Sequence, residues 1–118
     1  MVQLIAGRAV AKLNVTHQDA PAEPALTVAG LSGDKLTDVS LSLRAGEIVG
    51  VSGILGSGRE QLAPMLFGAQ HRSAGRVAVA AHELVPDDPA AAIECGMAYL
   101  PADRRRSGAV MEMNVREN

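Results

Sequence analysis

The chain contains 118 residues, with 11 basic against 13 acidic side chains and a formal net charge of −2. This balance argues against a general nucleic-acid-binding protein, and an aromatic content of 2% leaves few rings for stacking on single-stranded bases. A single cysteine excludes an intrachain disulfide and is too few for a structural zinc site. No apolar run reaches the roughly 18 residues of a membrane-spanning helix, and the first residues do not resemble a secretory signal. The composition therefore predicts a soluble intracellular protein of one domain at most.

Residues 1–24 have the composition of a tail and a linker. The segment from Asp19 to Pro24 combines two prolines with small and acidic residues, which favour extended backbone and offer little to bury. Residues 25–118 are therefore expected to form the structured part of the chain.

Four segments have strand patterns. Val39–Leu43 alternates apolar and polar residues, as in a strand with one buried face. Glu47–Ser52 is mostly apolar and leads into glycines, which is typical of a central strand in a parallel sheet covered on both faces. Gly75–Ala80 and Met97–Leu100 predict two further short strands, the second of them buried.

The first predicted helix spans residues 59–67. Its apolar residues recur at i, i+3 and i+4 from Leu62, and Gly68 is a plausible stop. Pro64 removes an interior N–H group, so we expect a kink or a shortened regular part.

The second predicted helix has clear signals at both ends. Asp88 can cap it, Pro89 takes its first position and Gly96 ends it. The order of strands, glycine loop and helices indicates an α/β fold with at least part of a parallel sheet.

A third helix signal stands at the end of the sequence. Asn114 is followed three residues later by Glu117, the spacing of a capping box. The sequence stops at Asn118, so the signal fits either a frayed terminus or a chain whose natural continuation is helical. We favour the second interpretation, in which this chain is a fragment.

A glycine-rich segment between the predicted strand 47–52 and the first helix carries the clearest chemical signal. Such a loop directs successive N–H groups at phosphate oxygens, and the helix N-terminus adds positive potential. In the phosphate-loop pattern G-x-x-x-x-G-K-[ST], arginine here replaces the lysine and glutamate replaces the Ser/Thr. The candidate nucleotide-binding residues are Gly53, Gly56, Ser57, Gly58, Arg59 and Glu60.

The loop has two other interpretations. A dinucleotide-binding fingerprint, G-x-G-x-x-G, starting at Gly56 would need a third glycine where Gln61 stands, so that pattern fails. A tight strand-to-helix turn that binds no ligand remains an alternative.

The neighbouring sequence resembles ABC-transporter ATPases, in particular the second nucleotide-binding cassette of carbohydrate-uptake importers of the ribose, xylose and galactose type. The resemblance covers roughly residues 25–118 and is carried by the loop together with a later block. The similar segments are Leu36–Leu43, Ala45–Gly50, Gly53–Leu62, Leu66–Ala69, Gly96–Arg104 and Met113–Asn118.

This resemblance implies part of a phosphate-loop NTPase fold: a parallel core sheet with part of an antiparallel β-subdomain, truncated before the signature motif. Residues 1–24 would be the linker and tail of a preceding cassette. The implied ligand is Mg-ATP, facing the amides of residues 56–60. The implied partners are another cassette, membrane permease subunits and, indirectly, a solute-binding protein, with no nucleic acid. The implied location is the cytoplasmic face of the cell membrane.

The sequence departs from the family pattern at positions that support hydrolysis. Arg59 and Glu60 replace the lysine and the Ser/Thr that helps to hold Mg²⁺. Ala102 stands where the family usually has a glutamine near the metal and attacking water. No aromatic residue that could stack on adenine occurs between Leu26 and Leu36. The sequence therefore predicts weak or regulatory ATP binding, no catalytic residue, no protein metal site and no hydrolysis by this chain alone.

A non-nucleotide interaction or assembly module that keeps the cassette fold is the alternative function. Cys95 is expected to pack as a small apolar residue. The scattered histidines lack metal-ligand spacing and are expected to be solvated or in loops. The basic run 104–106 is expected in a loop, either as a solvated charge cluster or as part of an interface.

Overall fold

A computed structural model describes residues 23–117. Of the predicted linker and tail, residues 1–24, only the last two lie within the described residues, and Asn118 also lies outside them. The elements in chain order are β1 (Leu26–Ser32), β2 (Val39–Leu43), α1 (Arg59–Phe67), β3 (Ala74–Val79), β4 (His82–Glu83), α2 (Pro89–Glu94) and α3 (Arg104–Ser107).

The four strands form one antiparallel sheet in the order β2-β1-β3-β4. Val28 of β1 lies opposite Leu41 on one side and Val77 on the other. Both registers shift in the second half of β1, around Gly30, which has φ +64°. The predicted strands 39–43 and 75–80 are confirmed with small changes at their ends. Strand β1, which the sequence analysis did not predict, is central to the sheet.

One hydrophobic core joins the sheet to helices α1 and α2. Because aromatic residues are scarce, it is built from aliphatic side chains and methionine. Its buried members are Val28, Leu31, Leu62, Met65, Val77, Leu84 and Ala92. Cys95 packs against this cluster, as expected of a small apolar residue.

The predicted parallel core sheet is absent from residues 23–117. Glu47–Ser52 is not a strand, and Ile48 in it is 96% exposed. Met97–Leu100 is also irregular, with Leu100 exposed. A strand forms only where neighbours take up its N–H and C=O groups, and these two segments do not pair with each other. The prediction of two buried strands is therefore wrong for this structure.

Helix α1 has the predicted bounds and remains continuous through Pro64. Pro64 lacks the N–H that would bond to the carbonyl of Glu60, in the first turn. The helix loses this one hydrogen bond, but the expected shortening does not occur. The chain leaves the helix at Gly68 with φ +79°, and the Gly68 N–H donates to the Met65 carbonyl. The predicted stop is confirmed.

Helix α2 also follows its sequence signals. The Asp88 carboxylate accepts hydrogen bonds from the N–H groups of Ala90 and Ala91, and Pro89 is the first helical residue. Gly96 follows the helix with φ +82°. Just beyond it, the ring of Tyr99 lies against the ring of the α1 residue Phe67, with centroids 5.5 Å apart. This contact joins the segment after α2 to the end of α1.

The predicted capping box is present at the end of the described residues. The side-chain oxygen Oδ1 of Asn114 accepts hydrogen bonds from the N–H groups of Arg116 and Glu117. In return, the Glu117 carboxylate accepts a hydrogen bond from the Asn114 N–H. The basic run is in the short helix α3 rather than in a loop, and the Asp103 carboxylate caps it by accepting from two of its N–H groups.

The turn between β4 and α2 is held to the segment just before β3 by a hydrogen bond between the side chains of His71 and Asp87. The Nδ1 atom of His71 lies 2.6 Å from Oδ2 of Asp87, and the Arg72 N–H donates to the other carboxylate oxygen. His71 is thus an exposed loop histidine, as expected, and its side chain is bonded to Asp87. The buried guanidinium of Arg72 donates to the Leu84 carbonyl, although its Nε has no hydrogen-bond partner within residues 23–117.

We expect Asp87→Asn to lower stability at neutral pH but not in acid. The hydrogen bond from His71 holds the pKa of Asp87 below its ordinary value of 3.8. A lowered carboxyl pKa stabilises the fold above the unfolded pKa, and this contribution disappears as pH falls through the folded pKa. Asparagine tolerates the φ of +59° at this position.

Urea unfolding of wild type and variant between pH 7 and pH 2 measures this effect. The matched control is Asp38→Asn, since Asp38 is exposed, has φ +53° and forms no ion pair within the described residues. A stability difference for Asp87→Asn that stays constant across the pH range would contradict the prediction.

Candidate nucleotide-binding loop

The glycine-rich segment forms a turn that leads into α1. The Ser57 N–H donates to the Ile54 carbonyl at 3.1 Å, which closes a four-residue turn. Gly56 is its third residue and has φ +82°, as a type II turn requires at this position. An ideal Cβ on Gly53 would lie 2.7 Å from the Ser57 hydroxyl, so the start of the loop packs on its end. Gly56 is thus needed for its positive φ, and Gly53 is needed because a side chain there would collide with Ser57.

The loop leaves backbone N–H groups available at the N-terminus of α1. Gly58 is the N-cap residue, with φ +93°, and contributes no side-chain cap. Within residues 23–117, the amides of Gly56, Gly58, Arg59 and Glu60 have no hydrogen-bond acceptor, whereas those of Ser57 and Gln61 are bonded within the loop. Unpaired amides at a helix N-terminus form a positive site suited to an anion.

A second turn packs against this loop through Gln61. The Gln61 side-chain oxygen accepts from the Lys35 N–H at 3.0 Å, and its NH₂ group donates to the Asp34 carboxylate at 3.4 Å. Gln61 thereby ties residues 33–36, between β1 and β2, to the first turn of α1. Sequence reasoning missed this role because the partners lie 26 and 27 residues apart and follow no recognisable motif.

Gly58 lies directly beneath that second turn. A Cβ at this position would lie 2.9 Å from the Lys35 carbonyl oxygen and 3.0 Å from the Leu36 side chain. Gly58 is buried although the residues on both sides of it are exposed. The requirement for glycine at the end of the loop thus comes from contact with the turn as well as from its positive φ.

Arg59 and Glu60 differ in their surroundings. The Arg59 side chain passes close to Gly53 and lines an apolar groove of about 200 Å³ beside the loop. Within the described residues its guanidinium forms no ion pair, so it is available to an anion. Glu60 is exposed in the first turn of α1, where the helix dipole favours a carboxylate. The loop therefore brings one free cation and one anion to the same helix end.

The donor set fits phosphate better than it fits a metal. The available amides can donate hydrogen bonds to phosphate oxygens. The Glu60 carboxylate, a ligand type that Mg²⁺ accepts, replaces the usual hydroxyl. Within the described part of the chain, no group of three or more histidine, cysteine, aspartate or glutamate side chains is placed to hold a metal ion. Ala102 is exposed and has no polar side-chain atom for a metal or a water molecule.

Comparison with known proteins gives the loop its context. The whole chain is 39% identical to a candidate ribose/galactose/methyl galactoside import ATP-binding protein of Agrobacterium fabrum, over 119 aligned residues. It is 36% identical to the ribose import ATP-binding protein RbsA of Chromobacterium violaceum, and also to ribose import ATP-binding protein RbsA 2 of Rubrobacter xylanophilus. Over its whole length, the chain is thus similar to ribose and galactose import ATP-binding proteins. The resemblance found in the sequence is confirmed.

The chain spans only 23–24% of the length of each of these relatives. No family model matches the chain, and no solved structure matches it. The relationship to ABC ATPases implies a phosphate-loop NTPase fold, of which residues 23–117 show the antiparallel sheet and the helices. None of the helices in residues 23–117 combines the length and apolar character needed to cross a bilayer.

Proposed function

We propose that this chain is the nucleotide-binding part of a degenerate second cassette in a sugar-import ATP-binding subunit. In this proposal the amides of Gly56, Gly58, Arg59 and Glu60 bind the phosphates of ATP, and the Arg59 guanidinium supplies the positive charge. The observation that carries the proposal is this set of unpaired amides at the uncapped N-terminus of α1. The proposal is supported by the ATP-binding function in the names of the homologues.

Binding is expected to be weak and not to lead to hydrolysis. The planar guanidinium of Arg59 is bulkier than a lysine ammonium. It favours two parallel hydrogen bonds to a phosphate, whereas the ammonium acts as a compact point charge. If the Glu60 carboxylate lay ~5 Å from a phosphate charge, each unit-charge repulsion would be about 3 kcal/mol at an effective dielectric constant of ~20. A bound Mg²⁺ ion would offset that repulsion by neutralising phosphate charge. Ala102 supplies no group to orient an attacking water, so Mg-ATP would be a bound ligand here rather than a substrate.

The proposed setting is an importer complex on the cytoplasmic face of the cell membrane. The partners are another ABC cassette, membrane permease subunits and, indirectly, a solute-binding protein. In that complex, ATP binding by this chain would contribute to closing the pair of cassettes. The importer names of the relatives support this setting, while the transported sugar is left open.

Calorimetric titration with Mg-ATP tests the nucleotide site. We expect a dissociation constant of about 100 μM or weaker, with no phosphate release over hours. Arg59→Ala should weaken binding about tenfold or more, because it removes a charge-assisted contact of about 1.5–3 kcal/mol. The matched control is Arg76→Ala, which removes an exposed arginine of β3 whose ion pair with Glu83 spans 3.8 Å. Appreciable hydrolysis by the pure chain, or equal affinity for Arg59→Ala and wild type, would contradict this function.

A second candidate is an interaction module that binds no nucleotide. The exposed apolar residues of the segment 48–51 favour it, since they offer a surface for another polypeptide. For this function the melting temperature stays constant with added Mg-ATP, and Arg59→Ala leaves partner binding intact. A ligand that binds only the folded state raises the melting temperature as its concentration exceeds the dissociation constant, so thermal melts separate the two functions.

A further inference from the structure

The turn at 33–36 brings a lysine to the last glycine of the loop. An ideal Cβ on Gly58 would lie 3.0 Å from the Cβ of Lys35 and 2.9 Å from the Lys35 carbonyl oxygen. A hydrogen bond of 2.9 Å from the Gly33 N–H to the Leu36 carbonyl closes the turn. The side chain of Lys35 therefore begins beside the loop, although Lys35 belongs to the connection between β1 and β2.

Gln61 fixes the backbone of this lysine relative to the helix. The Gln61 side-chain oxygen accepts from the Lys35 N–H at 3.0 Å, and the Gln61 N–H donates to the Gly58 carbonyl at 2.8 Å. The NH₂ group of Gln61 also donates to the carboxylate of Asp34 at 3.4 Å, so the carboxylate next to Lys35 in sequence is bonded to α1. One side chain of the helix thus sets the position of both charged residues of the turn.

The ammonium group of Lys35 is available to an anion. Lys35 is exposed, and within residues 23–117 it forms no ion pair. Lysine carries its charge on a flexible four-carbon stem with three rotatable donors. From a Cβ in contact with Gly58, that stem is long enough to bring the ammonium to the N–H groups of Gly58 and Arg59. A phosphate bound by those amides would lie within its reach.

The glycine-rich loop itself supplies little positive charge for a polyphosphate. Arg59 is the only basic residue among residues 53–60, and the acidic Glu60 follows it. Arginine binds phosphate as a planar fork and lysine as a compact point charge, so the two cations make different contacts. The loop therefore lacks an ammonium of its own, and the neighbouring turn has one.

We propose that Lys35 is a phosphate-binding residue of the nucleotide site and that Gln61 is the residue that positions it. The Lys35 ammonium contacts the phosphate groups that face Gly58, where it offsets the charge of the Glu60 carboxylate. This inference rests on the proposed function, since it requires a bound nucleotide. It adds to the site a cation that the glycine pattern does not contain.

The experiment is a calorimetric titration of the full chain with Mg-ATP, comparing wild type with Lys35→Met and Lys35→Arg. Methionine keeps most of the apolar stem and removes the charge, so we expect binding about tenfold weaker, as for loss of a charge-assisted contact. Lys35→Arg should restore most of the affinity. In about 1 M NaCl the difference between wild type and Lys35→Met should shrink, because salt screens exposed charges. A residue that only shaped the turn would show neither effect.

The positioning role of Gln61 is tested by a double-mutant cycle. Gln61→Ala releases the turn from α1, so it should weaken Mg-ATP binding at least about threefold when Lys35 is present and much less in the Lys35→Met background. Additive losses would show that Gln61 does not position Lys35.

The matched control is Arg44→Met, because Arg44 is an exposed cation just beyond β2 that forms no ion pair within the described residues. This variant should keep full affinity, and both Lys35 variants should unfold at the same urea concentration as wild type. Wild-type affinity in Lys35→Met, alongside weakened binding by Arg59→Ala, would overturn this inference and leave the proposed function standing. Equal losses in Lys35→Met and Lys35→Arg would also overturn it. Absence of saturable Mg-ATP binding by wild type would reject the proposed function and this inference together.

Discussion

Gly75→Ala is expected to unfold the antiparallel sheet. A Cβ at this position would lie 2.5 Å from the Leu31 Cα and 2.6 Å from both the Leu31 nitrogen and the Gly30 carbonyl oxygen. These are backbone atoms of β1, so they cannot move aside without breaking the β1–β3 pairing. The φ of +95° adds strain for any residue with a side chain. We expect a loss of about 3–5 kcal/mol in the free energy of unfolding, a large share of the stability of a small domain.

Denaturant unfolding followed by circular dichroism measures this loss. Two glycine controls separate the steric effect from the backbone effect. Gly46→Ala has φ +77° but nothing within 4 Å, so it should cost only about 1–2 kcal/mol. Gly50→Ala has neither problem and should be nearly neutral. Equal losses for Gly75→Ala and Gly46→Ala would show that β1 does not pack on Gly75 as described.

Gly58→Ala is expected to weaken both the fold and the nucleotide site. The added Cβ would collide with the Lys35 carbonyl oxygen at 2.9 Å and would strain a residue with φ +93°. Relief requires the turn at 33–36 or the N-terminus of α1 to shift, which would break the hydrogen bond from the Lys35 N–H to Gln61. We expect a stability loss of about 2–4 kcal/mol and at least about a tenfold loss in Mg-ATP affinity, because the amides no longer converge.

The two effects are measured by denaturant unfolding and by calorimetry under conditions in which the variant is folded. Gly56→Ala is the stability control, since its φ is +82° but no atom lies within 4 Å of its Cβ position. It should therefore cost only about 1–2 kcal/mol. Full ATP affinity in a folded Gly58→Ala variant would argue that the loop does not bind phosphate.

Elements defined by local signals were predicted well from the sequence. The bounds of α1, the cap at Asp88 and the capping box at Asn114 all depend on residues within a few positions of one another. Strand β2 was recognised because one of its faces is half-buried and the other exposed, which gives the alternation of period two. For such elements, spacing and residue type contain most of the information.

Elements defined by distant partners were not predicted. The apolar pattern of 47–52 indicates how the segment would be buried, but strand formation needs neighbours that residues 23–117 do not provide. Strand β1 was missed although it is the centre of the sheet, because its two partners lie far apart in the chain and its pattern is broken at Gly30. Pairing between strands is set by the tertiary structure, which a single-sequence pattern does not reveal.

The candidate site shows the same division. The glycine pattern predicted the loop and its connection to a helix N-terminus, and two of its three glycines, Gly56 and Gly58, have positive φ. It did not predict that Gln61 holds the Asp34–Lys35 turn against Gly58, since that contact joins residues from separate elements. The position of the loop before a helix was therefore accessible from the sequence, while the turn at 33–36 that packs against it required the structure.

The central claim is that the backbone amides at the start of α1 bind the phosphates of ATP. The most direct measurement is an amide-resolved NMR titration of the ¹⁵N-labelled chain with Mg-ATP. We predict saturable shifts that are largest at Gly56, Gly58, Arg59 and Glu60, with little change at the strand residue Val77. If those four amides stay unshifted at millimolar Mg-ATP, or if the largest shifts fall outside the loop, the phosphate-binding account is contradicted.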